Sequence, residues 1–151
     1  MPDYREKLWP SPWLFLIVAL VIPASILIFA PINMLVGVLT AAGLYLGSVL
    51  LLLLASPTVQ VAGGVLTAGH ARIETRLLGE AVAYEGAEAT AERGTRLDAR
   101  AWLLIRGWIA PVVRIPLEDP TDPAPYWLVS SRRPQKMAAA INGSRRPASS
   151  N

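Results

Sequence analysis

The chain has 151 residues, 53% of them hydrophobic and only 17% charged, with a formal net charge of +3. A soluble domain usually carries nearer a quarter charged residues, which argues against a wholly water-soluble globule. With no cysteine and a single histidine, disulfides and thiolate sites are excluded and a zinc site has too few ligands.

Charge is segregated: no Asp, Glu, Lys, Arg or His occurs between Leu8 and Gly69. Residues 1–12 read as an N-terminal interfacial segment, with Trp9 suited to a headgroup layer. A transmembrane hairpin is expected over 13–56, with spans at about 13–30 and 34–54. At 1.5 Å rise per residue these reach roughly 27 and 31 Å, close to a hydrocarbon core of about 30 Å. The Leu and Val residues of the second run favour insertion by about 4–7 kcal/mol. Ser11 and Pro12 suit a helix start, and Pro23 predicts a kink. Pro31-Ile32-Asn33 supplies the reversal, and Ser56-Pro57 stops the second helix. A cleavable signal peptide is the competing reading, but the apolar stretch is too long and Pro-Ala-Ser at 23–25 is a poor cleavage site. Arg5 and Lys7 before the first span, and Arg72 and Arg76 after the second, place both termini in the cytoplasm by the positive-inside rule. Gly43 and Gly47 form a GxxxG, extended by Thr40, whose small side chains permit close helix packing. Packing against the chain's own first helix is preferred there over a homodimer seam.

A cytoplasmic β-rich domain is expected over 57–142. Thr58–Ala62 alternates as a strand, and Gly63-Gly64 is a hairpin turn. Residues 65–76 read as one longer strand bent at Gly69, with Arg72, Glu74 and Arg76 on one face. A short strand follows at 80–85, then a helical turn or loop at 86–94. Residues 99–106 and 109–117 predict a hairpin joined at Gly107, its second strand held to an edge or a bulge by Pro111 and Pro116. A last strand at 126–131 leads to a helix from Pro134 to about Asn142, stopped by Gly143. The tail, 143–151, has the composition of a disordered segment. The fold class is therefore a membrane α-helical hairpin plus a small mainly-β domain. Its element order suggests a pleckstrin-homology-like barrel of about seven strands closed by a C-terminal helix.

Several residues invite a functional reading. His70 stands alone, flanked by Gly69 and Ala71, and is expected to be structural. Asp119, Pro120, Asp122 and Pro123 read as a structural turn rather than a cation site, because Asp before Pro fixes turns through its own backbone bonds. Arg132, Arg133 and Lys136 gather before the last helix, where they would meet anionic headgroups or a partner. Tyr126 and Trp127 are placed with them as an aromatic contact, although strand alternation sends the two rings to opposite faces. No phosphate-cradling glycine loop, nucleophile motif or basic stripe for nucleic acid is found.

Asp119-Pro120-Thr121-Asp122-Pro123-Ala124-Pro125-Tyr126-Trp127, followed by Ser130-Ser131-Arg132-Arg133-Pro134, resembles the hallmark of an uncharacterised actinobacterial membrane-protein family, domain-of-unknown-function family 3093. Tyr4-Arg5-Glu6 before Trp9-Pro10, the run from Gly64 to Ala71, and Asp98-Ala99-Arg100-Ala101 match it too. The resemblance implies a membrane protein with a cytoplasmic β-rich domain and carries no known activity. The reading is a membrane-anchored, non-enzymatic binding or scaffold protein of the cell membrane. Its expected partners are the bilayer, anionic headgroups and a protein of unknown identity, with no cofactor, metal or nucleic acid. The alternatives are an accessory subunit of a larger membrane complex and an enzyme acting on a lipid-linked substrate through Asp119, Asp122 or His70.

Overall fold

The computed structural model describes residues 4–145. These form two compact units, one of residues 9–56 and the other of the N-terminal segment to Leu8 together with the chain from Pro57 onward.

The apolar unit holds helices α1 (Pro12–Ala19), α2 (Val21–Phe29) and α3 (Met34–Leu54). The break between α1 and α2 falls at Leu20, one turn before Pro23, whose ring lacks an N–H and crowds the carbonyl four residues back. Asn33 caps α3 by accepting from the Leu35 amide at 2.9 Å. At the other end the Ser56 hydroxyl donates to Leu52 O at 2.9 Å. Two helices long and apolar enough to cross a membrane result, Pro12–Phe29 and Met34–Leu54, and only 6% and 11% of their most apolar windows are buried.

The other unit is mainly β. Its first sheet has the order β1-β2-β3-β4, comprising β1 (Tyr4–Lys7), β2 (Thr58–Ala62), β3 (Val65–Ala68) and β4 (Ala71–Glu74). Every neighbouring pair is antiparallel. Residues 4–7, read from the sequence as interfacial, are thus a strand, and the apolar unit is an insertion between two paired strands. The Leu8 amide donates to Pro57 O at 2.8 Å and closes the base of that insertion. Gly63 and Gly64 turn the chain with φ of +58° and +74°, the positive values that a tight hairpin in a right-twisted sheet requires. The single strand expected over 65–76 instead folds back at Gly69 (φ +62°). Ala68 then faces Ala71 across a second tight hairpin.

The second sheet has the order β5-β7-β8-β6, formed by β5 (Val82–Tyr84), β6 (Trp102–Leu104), β7 (Val112–Pro116) and β8 (Tyr126–Ser130), with α4 (Gly86–Arg93) between β5 and β6. The expected hairpin of 99–106 with 109–117 is absent. β6 pairs in parallel with β8, which lies between β6 and β7. All five residues of β8 are buried, so an interior position is where its apolar side chains lose the most contact with water. β7 is interior as well. Pro111 precedes it and Pro116 ends it, positions where a missing N–H removes no ladder bond.

The main core lies between the sheets and under α5 (Pro134–Arg145). Val59, Val61 and Leu66 come from the first sheet, Val113, Ile115, Trp127 and Val129 from the second, and Met137 and Ile141 from α5. A smaller cluster of Ala89, Val112, Tyr126 and Leu128 packs α4 on the other face of the second sheet. α5 runs through Gly143 to Arg145, past its expected stop. The Asn142 side chain holds Ala81 through both its amide (2.8 Å) and its carbonyl (3.0 Å), and Arg145 Nε donates to Leu78 O at 2.8 Å. These contacts anchor the last turn. The rest of the expected disordered tail, 146–151, lies outside the described residues. The β unit is two four-stranded sheets without barrel closure.

Candidate functional site

On β1 the side chains alternate, Tyr4 and Glu6 buried, Arg5 and Lys7 exposed. A carboxylate at 6% exposure must be hydrogen-bonded to be tolerated. Its partners come from the far end of the chain. Glu6 Oε2 accepts from Tyr4 Oη at 2.5 Å and from Ser131 Oγ at 2.6 Å, while Oε1 accepts from the Arg132 amide at 2.8 Å. Both hydroxyl protons point at one oxygen, which explains why Tyr4 Oη and Ser131 Oγ lie only 3.2 Å apart. Ser131 Oγ also accepts from the Arg133 amide at 3.0 Å. Arg133 reaches back over the Tyr4 ring, 5.1 Å from its centroid, and donates to Arg5 O at 2.9 Å.

Burial, and next the bond to Glu6, push the Tyr4 phenol up to about 12. A phenol whose folded value exceeds its unfolded value near 10 adds stability that is complete below pH ~10 and is lost as pH rises toward ~12. Wild-type stability is therefore expected to fall across that alkaline window by more than that of Tyr4→Phe, as read from denaturant midpoints at stepped pH. Identical slopes would show that the phenol is not held this way.

Arg132, Arg133 and Lys136 are exposed, as a contact surface requires. Tyr126 and Trp127 are not, at 4% and 5% exposure. Alternation sends them to opposite faces of β8, as expected, but both faces are covered. Trp127 stacks on Trp102 with centroids 4.5 Å apart, and Tyr126 Oη accepts from the Asp98 amide at 2.8 Å. They belong to the core and not to a partner surface.

Asp119 accepts from the Thr121 amide (2.9 Å) and hydroxyl (2.6 Å), bonds that hold its carboxyl below the ordinary range. Asp122 accepts from the Ala124 amide at 2.9 Å. Both carboxylates are thus used in local turns beside Pro120 and Pro123. His70 is exposed in the β3–β4 turn. Among the described residues no group of three or more His, Cys, Asp or Glu is placed to hold a metal ion.

In the apolar unit a methyl group added at Gly37 would meet Ile26 Cα at 3.4 Å, whereas one at Gly43 or Gly47 would meet nothing within 4 Å. The close approach within the hairpin is made by Gly37, with Ser25 and Ala41 buried nearby. The Gly43/Gly47 stripe, with Thr40 half-buried near it, is not packed against the first helix.

A second buried carboxylate was not signalled by the sequence. Glu92 on α4 is 1% exposed, 3.2 Å from Arg96 and 3.9 Å from Arg114, whose guanidinium lies 4.3 Å over the Tyr126 ring. It ties α4 to the second sheet. Glu6 carried a usable signal, the period-two pattern of Tyr4, Glu6 and Leu8 against Arg5 and Lys7, masked by its proximity to the apolar run.

This network joins Tyr4-Arg5-Glu6 to Ser130–Pro134, two of the stretches that resemble a known family. No curated protein and no solved structure matches the chain. Residues 3–141 match a family described as Protein of unknown function (DUF3093), and the chain belongs to that family.

Proposed function

We propose that this is a membrane-anchored, non-enzymatic binding or scaffold protein whose apolar hairpin crosses the bilayer twice and holds the β unit at the cytoplasmic face. One observation carries the reading: β1 and β2, which flank the hairpin, are hydrogen-bonded neighbours in register from Tyr4↔Val61 to Lys7↔Thr58. Two strands of one sheet cannot lie on opposite sides of a bilayer, so the inserted helices cross together or not at all. The low burial of both helices favours crossing, since Leu16, Leu20, Leu27, Leu51 and Leu54 are each 65% exposed or more and lipid is the solvent that suits them. Removal of the first helix as a signal peptide would strip β1 from its sheet and Glu6 from Ser131. Orientation rests on Arg5 and Lys7 at one flank, Arg72 and Arg76 beyond the other, and an uncharged reversal at 31–33. A pleckstrin-homology-like relationship is supported by two sheets with a C-terminal helix over the core, although the parallel pairing of β6 with β8 departs from an all-antiparallel meander.

The chain has no cysteine, so single thiols report sidedness directly. In intact cells a membrane-impermeant thiol reagent is expected to label Ile32→Cys, and to label Gln135→Cys only after permeabilisation. The reverse pattern would overturn the orientation, and equal labelling of both before permeabilisation would overturn the double crossing. A second reading, an accessory subunit of a larger membrane complex, is favoured by the open space beside Gly43 and Gly47, which leaves a helix face able to approach another span closely.

A further inference from the structure

We propose that the outer face of the first sheet, continued onto the start of α5, is a docking surface for anionic phospholipid headgroups. This rests on the membrane reading above and adds a site, a ligand class and residues to it. Register alignment places Arg5 opposite Gln60, Gln60 opposite Thr67, and Thr67 opposite Arg72. One row across four strands therefore begins and ends with an arginine, about 14 Å apart at the usual strand spacing. Lys7 lies on the same face of β1, opposite Thr58. The core-facing side of these strands carries Tyr4, Glu6, Val59, Val61, Leu66 and Ala68, all buried, so the polar row is the sheet's outward side. Glu6, the acid nearest to Arg5 and Lys7 in the chain, is turned inward and fully engaged. Among the described residues of this face Glu74 is the only acidic side chain, and Arg76 pairs with it.

Arg133 extends the surface past β1, since its guanidinium bonds the Arg5 carbonyl, and Arg132 just before it and Lys136 three residues after it are exposed. A broad spread of cations and small polar side chains suits many phosphates held in a plane better than one dissolved anion in a cradle. Connectivity selects the lipid source, because β1 and β2 each run into an apolar helix from the Lys7–Thr58 end of the ladder.

The test uses the full chain carrying Gln135→Cys, labelled with a fluorescent donor, in nanodiscs of phosphatidylcholine with or without phosphatidylglycerol and a trace of headgroup-labelled acceptor. Energy transfer is expected to be high with phosphatidylglycerol at low salt, and to fall with added salt or in phosphatidylcholine alone. Arg5→Gln with Arg72→Gln, chosen because neither side chain holds the fold, is expected to weaken docking by on the order of thirtyfold. A control with the same charge loss, Arg93→Gln with Arg100→Gln, is expected to dock as wild type does. Equal transfer in both lipid compositions, equal loss in control and patch variants, or an unchanged patch variant overturns the docking surface while leaving the anchor intact. So does saturable binding of an oligonucleotide to this face with no lipid dependence. Failure of the wild-type chain to enter nanodiscs overturns the membrane reading itself.

Discussion

Replacing Trp127 by alanine is expected to destabilise the β unit by about 3–5 kcal/mol, the range for removing a large aromatic from a close-packed core. For a unit of this size that corresponds to a fall in thermal midpoint on the order of 20 °C. The argument is geometric. Trp127 sits on β8, between β7 and β6, and its ring stacks on Trp102 while touching the core shared by both sheets and α5. No neighbouring backbone is free to collapse into the space, because β8 is held by ladders on both sides. Trp127→Phe keeps a ring against Trp102 and is expected to lose roughly half as much. Circular dichroism melts of the full chain in micelles measure both. A midpoint for Trp127→Ala within a few degrees of wild type would return Trp127 to the surface role that its neighbours in sequence suggested.

Loss of the Glu6 carboxylate is the second large effect. Glu6→Ala is expected to destabilise the β unit by about 2–4 kcal/mol, because Tyr4 Oη, Ser131 Oγ and the Arg132 amide all lose their acceptor at once, two of them in buried side chains. The orphaned donors, more than the lost bonds, set the size of the penalty. Glu6→Gln keeps one acceptor oxygen and is expected to fall between. Because Glu6 fastens β1, the damage is also positional. Amide hydrogen exchange should quicken along residues 4–8 and along β2 before the rest of the core. Protection of β1 that survives Glu6→Ala unchanged would mean that the β1–β2 ladder alone secures the strand.

The network also brings together two stretches from opposite ends of the chain, Tyr4–Glu6 and Ser131–Arg133. Ser131 donates to a carboxylate 125 residues away, and Arg132 and Arg133 are positioned by backbone bonds in that same cluster. The exposed Arg132 and Arg133 are thus mounted on a buried, polar base.

Local features were legible wherever the deciding force acts over a few residues. The two apolar helices and the break before Pro23 follow from length, hydropathy and a missing N–H. The Gly63-Gly64 turn follows from backbone sterics, and the Asp119 and Asp122 turns from side chains short enough to bond their own backbone. The exposed side of Arg72 and Glu74 follows from period-two alternation. The exposure of Arg132, Arg133 and Lys136 follows from the cost of burying an unpaired charge.

What needed the tertiary structure was partner choice. Alternation placed Tyr126 and Trp127 on opposite faces of a strand, but only the packed sheets show that α4 covers one face and the main core the other. Residues 99–117 contain two good strands and a glycine between them, yet β8 displaces the hairpin because its five buried residues lose more contact with water at the sheet interior. Gly43 and Gly47 announce close packing, while Gly37 performs it within the hairpin, since helix rotation decides which small residues meet a neighbour. The sequence determined by itself that this chain pairs an apolar hairpin with a charged β-rich remainder, because hydropathy and turn sterics are properties of short segments. That its first strand belongs to the last domain, through a carboxylate bonded to Ser131, was decided only by the fold. Hydrogen bonds between distant residues leave no periodic trace in the chain that makes them.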